Sequence, residues 1–169
     1  MLTTTKTTLF VFASLTLATA AFGSDASDAR RSIENAYKRI DVAVTRRDSR
    51  TLLSFMKPEY KLTMAGKTLS KANMSRNMSV LFSTAKTLKT KTSIQKFVFS
   101  GSRATVIGQE FAEATAVSRS THTLKTVKIN SIFEEVWMKE KGRWLKQKTR
   151  NLHLQQIVDG RSIKPVIAK

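Results

Sequence analysis

The hydrophobic period changes once along this chain, and that change constrains the fold more than any other feature. Between residues 29 and 85 apolar side chains mostly recur every three to four positions; from residue 93 they alternate with polar ones. Ser27 or Asp28 can cap a first helix over 29–46, with Ala29, Ile33, Ala36, Tyr37, Ile40, Ala43 and Val44 on one stripe. Asp48 can cap a short second helix through Leu52, Leu53 and Phe55, which Pro58 ends. Tyr60–Met64 reads as a short strand before an Ala65-Gly66-Lys67 turn. Ser70 starts a third helix whose stripe is Met74, Met78, Leu81, Phe82 and Ala85. The alternating part reads as four strands, Ile94–Phe99, Ala104–Val117, Lys125–Lys139 and Arg143–Leu154, joined by turns at Gly101-Ser102-Arg103, Ser118–Thr123 and Glu140–Arg143. Helices first and a meander afterwards predict an α+β domain, its N-terminal helices packed on one face of a curved antiparallel sheet. No internal repeat or low-complexity linker divides it.

Residues 1–23 stand outside that pattern. Lys6 precedes an apolar run that closes on small residues, with cleavage expected after Ala18-Thr19-Ala20 or Ala21-Phe22-Gly23. This is the layout of a secretory signal peptide, and the run falls short of the roughly 20 residues a membrane span needs. The expected organisation is therefore a signal peptide at 1–23, a domain at 24–156 and a C-terminal tail at 157–169, in an exported, periplasmic or secreted protein. Ile157-Val158 and Ile163–Ile167 give the tail enough apolar character for partial docking. The chain has no cysteine, which excludes a disulfide scaffold, thiolate zinc sites and a cysteine nucleophile.

Strand parity predicts which side chains share a face. In the last strand Lys146, Lys148 and Arg150 alternate with Gln147, Thr149, Asn151 and His153. Three successive cations belong in water or against an anionic partner, because unpaired burial costs several kcal/mol each. The odd-numbered face is then the inward one, and it is polar enough to line a cavity. With the same parity on the other long strands, Gln109, Phe111, Glu113, Phe133, Glu135, Trp137, Gln147, Thr149 and Asn151 become the expected pocket wall. Val106, Ile132, Val136, Met138 and Trp144 become an outward apolar patch beside a basic set of Lys128, Lys146, Lys148 and Arg150.

Several segments in this order are also familiar together. Arg46-Arg47-Asp48 leads into Leu52-Leu53-Ser54-Phe55, and the late hairpin VWMKEKGRW places Glu135-Val136-Trp137-Met138-Lys139 before Gly142-Arg143-Trp144-Leu145. Over residues 28–156 the chain resembles the nuclear transport factor 2-like superfamily, close to its SnoaL-like branch and related small domains of unknown function. The resemblance implies a cone-shaped α+β fold whose helices and curved sheet enclose a pocket, in members that commonly pair through the open sheet face as homodimers. That superfamily holds isomerases, dehydratases, hydrolases, transport factors and non-catalytic binders, so the fold does not choose a function.

The candidate chemistry is sparse. Glu135 and Glu113 are the expected inward acids; with Tyr60 they are the catalytic candidates, since an isomerase of this fold needs a carboxylate base and an oxyanion partner. Against this, Glu135 can pair with one of the many arginines or point to solvent at the pocket mouth. No motif of an enzyme family matches residue by residue. His122 and His153 are the only histidines and nothing in the sequence brings them together, so no metal site and no cofactor are expected. Charge is the least ordinary property: 30 Lys+Arg stand against 12 Asp+Glu, for a formal net charge of +18. Nine of those cations lie between Glu59 and Glu110 with no acid among them. Such a field attracts polyanions, but no nucleic-acid module is present and aromatics are few, so nucleic acid is not the expected partner. The main expectation is an exported binder of a small molecule or peptide. The alternatives are an isomerase, dehydratase or hydrolase with a pocket carboxylate as base, and an adaptor that holds anionic envelope material on a basic sheet face.

Overall fold

The computed structural model describes residues 17–117 and 122–163, with side chains from residue 25. Three helices precede most of the sheet: α1 (Leu17–Thr45), α2 (Ser49–Ser54) and α3 (Lys71–Thr84). The strands are β1 (Met56–Met64), β2 (Lys67–Ser70), β3 (Ala85–Ser100), β4 (Arg103–Val117), β5 (Leu124–Glu140), β6 (Arg143–Val158) and β7 (Arg161–Ile163). They form one sheet in the order β2-β1-β6-β5-β4-β3, with β7 on β6. β1 runs parallel to β6, so the sheet is mixed and largely antiparallel rather than purely antiparallel.

The helices begin where their caps stand. Asp48 accepts from the Thr51 backbone N–H (2.9 Å) at the start of α2, after Arg47 breaks α1 with φ of 58°. Ser70 and Asn73 form a reciprocal capping box on α3. Pro58 is tolerated inside β1 because the β1–β6 register shifts between Met56 and Lys61. The β5–β6 hairpin turns through Lys141 and Gly142, both with positive φ, the geometry that matches strand twist.

α1 lies across the concave face. Ala29, Ile33, Ala36 and Tyr37 pack with Phe55, Ala104, Val106, Phe133, Trp137 and Trp144 into the main core. A second cluster of Ala43, Leu52, Met56, Tyr60 and Leu62 lies under α2, with Met74 and Met78 of α3 against it. α1 and the turn after it also blunt the free edge of β3: Asp41 of α1 accepts from the Thr92 N–H (2.9 Å), and Arg47 in the turn donates to the Ala85 and Lys86 carbonyls (both 2.8 Å).

Several expectations are corrected here. β4 pairs with β5 so that even residues of one oppose odd residues of the other: Ala104 faces Trp137, Val106 faces Glu135 and Gly108 faces Phe133. The concave face therefore takes Val106, Glu110 and Ala112, while Gln109, Phe111 and Glu113 lie on the opposite, outer face. In β6, register shifts leave Gln147 and Leu152 as bulge residues, and each bulge resets the parity of the residues after it. Lys146 thereby points inward and is buried, Gln147 drops out of the expected wall, and Thr149 and Asn151 share the face of Glu135. Trp144 packs in the core against Phe99, not on an outer patch.

The sheet also continues past residue 156, through the end of β6 into β7. Residues 1–16 of the expected signal peptide lie outside the described residues, and 17–23 are the first turns of α1. Among the described residues no helix is long and apolar enough to cross a membrane.

Candidate functional site

Three places on the sheet carry the polar chemistry. The first is the core beneath α1, where β5 delivers Glu135 at 3% exposure. Both of its oxygens are taken. Tyr37 donates to Oε2 (2.6 Å), as does the Trp137 indole N–H (3.1 Å). Lys146 Nζ (2.7 Å) and the Thr149 hydroxyl (2.9 Å) donate to Oε1. Tyr60 donates in turn to Thr149 (2.7 Å). The Lys146 ammonium also stands 5.0 Å from the Tyr37 ring centroid and 5.2 Å from that of Trp137. Burial first, then the Glu135 charge, raises the Tyr37 phenol well above its ordinary pKa; the same two causes raise that of Tyr60. These phenols stay protonated as donors. A carboxylate holding four donors in a packed core has no free lone-pair direction for a substrate proton, so this network is a structural anchor.

The second place is the concave face beyond Glu135. Here β4 presents Glu110, which accepts from the Thr90 hydroxyl (3.1 Å). Its side chain is half-buried and makes no ion pair among the described residues. Desolvation raises its pKa above the ordinary glutamate value, helped by the Glu135 and Asp41 charges and only partly opposed by Lys146 and Thr90. Around it Thr90, Ala112, Ile129, Leu154 and Gln156 are all half-buried, and no residue of α3 is buried. Parity reasoning missed Glu110 because it assigned β4 to the wrong face.

The third place is on the outer face, where a groove of about 470 Å³ is lined by Lys89, Lys91, Phe111, Glu113, Lys128, Asn130, Gln155 and Ile157, with Thr90, Ala112 and Ile129 of the row between also bordering it. Phe111, Glu113 and Lys128 stand out in the sequence, the first two as walls of an interior pocket they do not reach. Glu113 pairs with Lys128 at 3.5 Å and stays partly solvated. Lys148 and Arg150 lie exposed elsewhere on this face, Arg150 at 3.5 Å from Glu134. His122 and His153 are both exposed, the first just before β5 and the second on β6. Among the described residues no three or more metal-ligating side chains converge.

No family model and no curated protein matches the sequence. Solved structures do match. A hexachlorocyclohexane dehydrochlorinase, LinA type 2, aligns at TM-score 0.64 and 16% identity, over 86% of this chain and 99% of its own. A candidate scytalone dehydratase of Novosphingobium aromaticivorans aligns at TM-score 0.66 and 10% identity, over 83% and 93%. An NTF2 protein with five substitutions aligns at TM-score 0.50 and 16% identity, over 74% and 97%. At these identities the likeness concerns backbone alone. With helices on the concave face of a curved sheet and these structural neighbours, the chain has the nuclear transport factor 2-like fold.

Proposed function

We propose that this chain binds a small, largely apolar molecule in the open half of its concave face, with Glu110 as the polar anchor and Glu135 as a fold-holding group. One observation carries it: apolar and small side chains (Ala112, Ile129, Leu154) surround a desolvated acid without a cationic partner, in a place the helices leave half-covered. Desolvation shifts such a carboxyl toward its neutral form, in which it can donate a hydrogen bond to a ligand carbonyl or hydroxyl. Native mass spectrometry of protein purified gently from its own host tests this. A discrete adduct is expected, lost in Ala112→Trp, which fills the cup, and weakened in Glu110→Leu. A clean unliganded species, or an adduct indifferent to both changes, counts against it.

A second reading, an enzyme with a carboxylate base, moves to the same residue. Glu135 is saturated with donors, and Glu113 sits on the outer face beside Lys128. Glu110 alone of the three combines desolvation with an oxygen that has no donor on it, and desolvation makes the carboxylate a stronger base than an ordinary glutamate. Conversion of the retained ligand to a second species, abolished by Glu110→Gln while binding persists, would favour this reading. The dehydrochlorinase and dehydratase names of the structural neighbours make elimination the first reaction class to try.

Export directed by residues 1–23 belongs to the same proposal. N-terminal sequencing of the protein recovered outside the cytoplasm should begin just after Ala20 or Gly23.

A further inference from the structure

We infer that the outer groove is a separate binding site for a small amphipathic anion, with its head at Lys89 and Lys91 and its apolar body on Phe111. Two consecutive rows across four strands build it. Lys89, Glu113, Lys128 and Ile157 are cross-strand neighbours in one row, and Lys91, Phe111, Asn130 and Gln155 in the next. At about 4.8 Å between strands, each row runs roughly 14 Å. A groove of about 470 Å³ lies within the size range of ligand sites.

The groove is polarised along its length. Lys89 and Lys91 stand side by side on the edge strand β3. Every Asp and Glu of the chain is among the described residues, and none of them pairs with either lysine. Lys128 does have its acid, Glu113. Two unpaired ammonium groups at one end therefore ask for an anionic head. Next to them Phe111 is 51% exposed, an aromatic left uncovered on a sheet face, and Ile157 closes the far end of the floor. Asn130 is already oriented: its Oδ1 accepts from Gln109 (3.0 Å), which accepts from Gln95 (3.0 Å). Asn130 lines the groove, and with its Oδ1 taken the group it has left to offer a ligand is its NH₂ donor. A second copy of the chain seated here would bring like charges together, so a small anion with an apolar body is the better complement.

Amide-resolved NMR titration of the folded protein with octyl phosphate, below its micelle concentration, tests the site. Saturable shifts confined to the rows of Phe111 and Lys128 are expected. Octyl glucoside, with no charge, and inorganic phosphate, with no chain, should each bind at least about ten-fold more weakly. The Lys89→Gln/Lys91→Gln variant should lose about ten-fold or more in affinity for octyl phosphate, and Phe111→Ser a comparable amount. Both are exposed changes, and circular dichroism verifies that each variant is folded. Lys148→Gln, on the same face outside the groove, should bind as wild type. Equal binding of octyl glucoside, indifference to the paired lysine change, or a loss in Lys148→Gln as large as in the groove variant would overturn the inference. A last arm uses vesicles containing an anionic phospholipid: octyl phosphate should compete with any vesicle binding, and binding that it leaves untouched overturns the site in favour of a diffuse surface field. Glu110→Leu, which changes the concave cup at a residue that does not line the groove, leaves these results unchanged, so the two sites fail separately.

Discussion

Glu135 and Glu110 face the same side of the same sheet, in adjacent strands, and their surroundings are opposites. Glu135 lies under α1 with an ammonium, two ring donors and a hydroxyl on its two oxygens. Glu110 has one hydroxyl, no ion-paired cation among the described residues and half-open surroundings. The four long strands run through both regions. In the covered half every buried charge is matched, because an unmatched one would cost several kcal/mol. In the open half Glu110 stands without an ion pair on the concave face, and Lys89 and Lys91 without one on the outer face. Buried polar groups that are satisfied hold a fold; those left wanting partners near the surface are where ligand chemistry can enter.

The largest expected effect comes from breaking the covered half. Glu135→Leu strands Lys146, Tyr37 and Trp137 together and should cost about 3–5 kcal/mol in urea unfolding. The double variant with Lys146→Met should recover much of that loss, and a double variant no better than the single would show that the pair is not the organising contact. Tyr37→Phe removes one charge-assisted bond and should cost about 1.5–3 kcal/mol. Gly108→Ala probes the border between the halves: its Cβ would stand 2.5 Å from the Phe133 ring, so roughly 1–3 kcal/mol of overpacking is expected unless the ring yields.

Smaller effects test the open half. Glu110 has a folded pKa above its unfolded value, so the folded state holds its proton longer. Stability should fall as pH rises from the ordinary glutamate value through the raised one, then level off. Glu110→Gln should remove that slope; an unchanged pH profile would mean the acid is solvated in the folded state. Phe111→Ser should change stability by no more than about 0.5 kcal/mol, since the ring is half in water. A larger loss would make the outer groove part of the core and erase the contrast between the halves.

Much of the architecture was legible without coordinates. The caps at Asp48 and Ser70 and the stripe of Ala29, Ile33, Ala36 and Tyr37 marked helices, because those signals are local. The glycine turn at Gly142 marked its hairpin for the same reason. The start of β3 was not legible: Ala85–Ser93 is rich in Lys and Thr, and its strand geometry comes from pairing with β4. Nor was the parallel β1–β6 contact, which joins segments about 90 residues apart. Glu135 and Tyr60 stood out from the sequence as chemically notable. That Lys146 turns inward to neutralise Glu135 depends on the bulge at Gln147, which nothing in the surrounding residues announces.

The sequence by itself determined the order of the three helices and of five of the seven strands, the α+β class, the excess of positive charge and the absence of thiol chemistry; it did not mark β2 or β7. Local periodicity and composition are enough for these. Only the tertiary structure decided which residues share a face. Side-chain direction alternates with every strand residue, so a single bulge or a one-residue change in hairpin register exchanges inside for outside. That exchange made Lys146 a core residue, moved Phe111 and Glu113 to the outer groove, and put Glu110 in the cup.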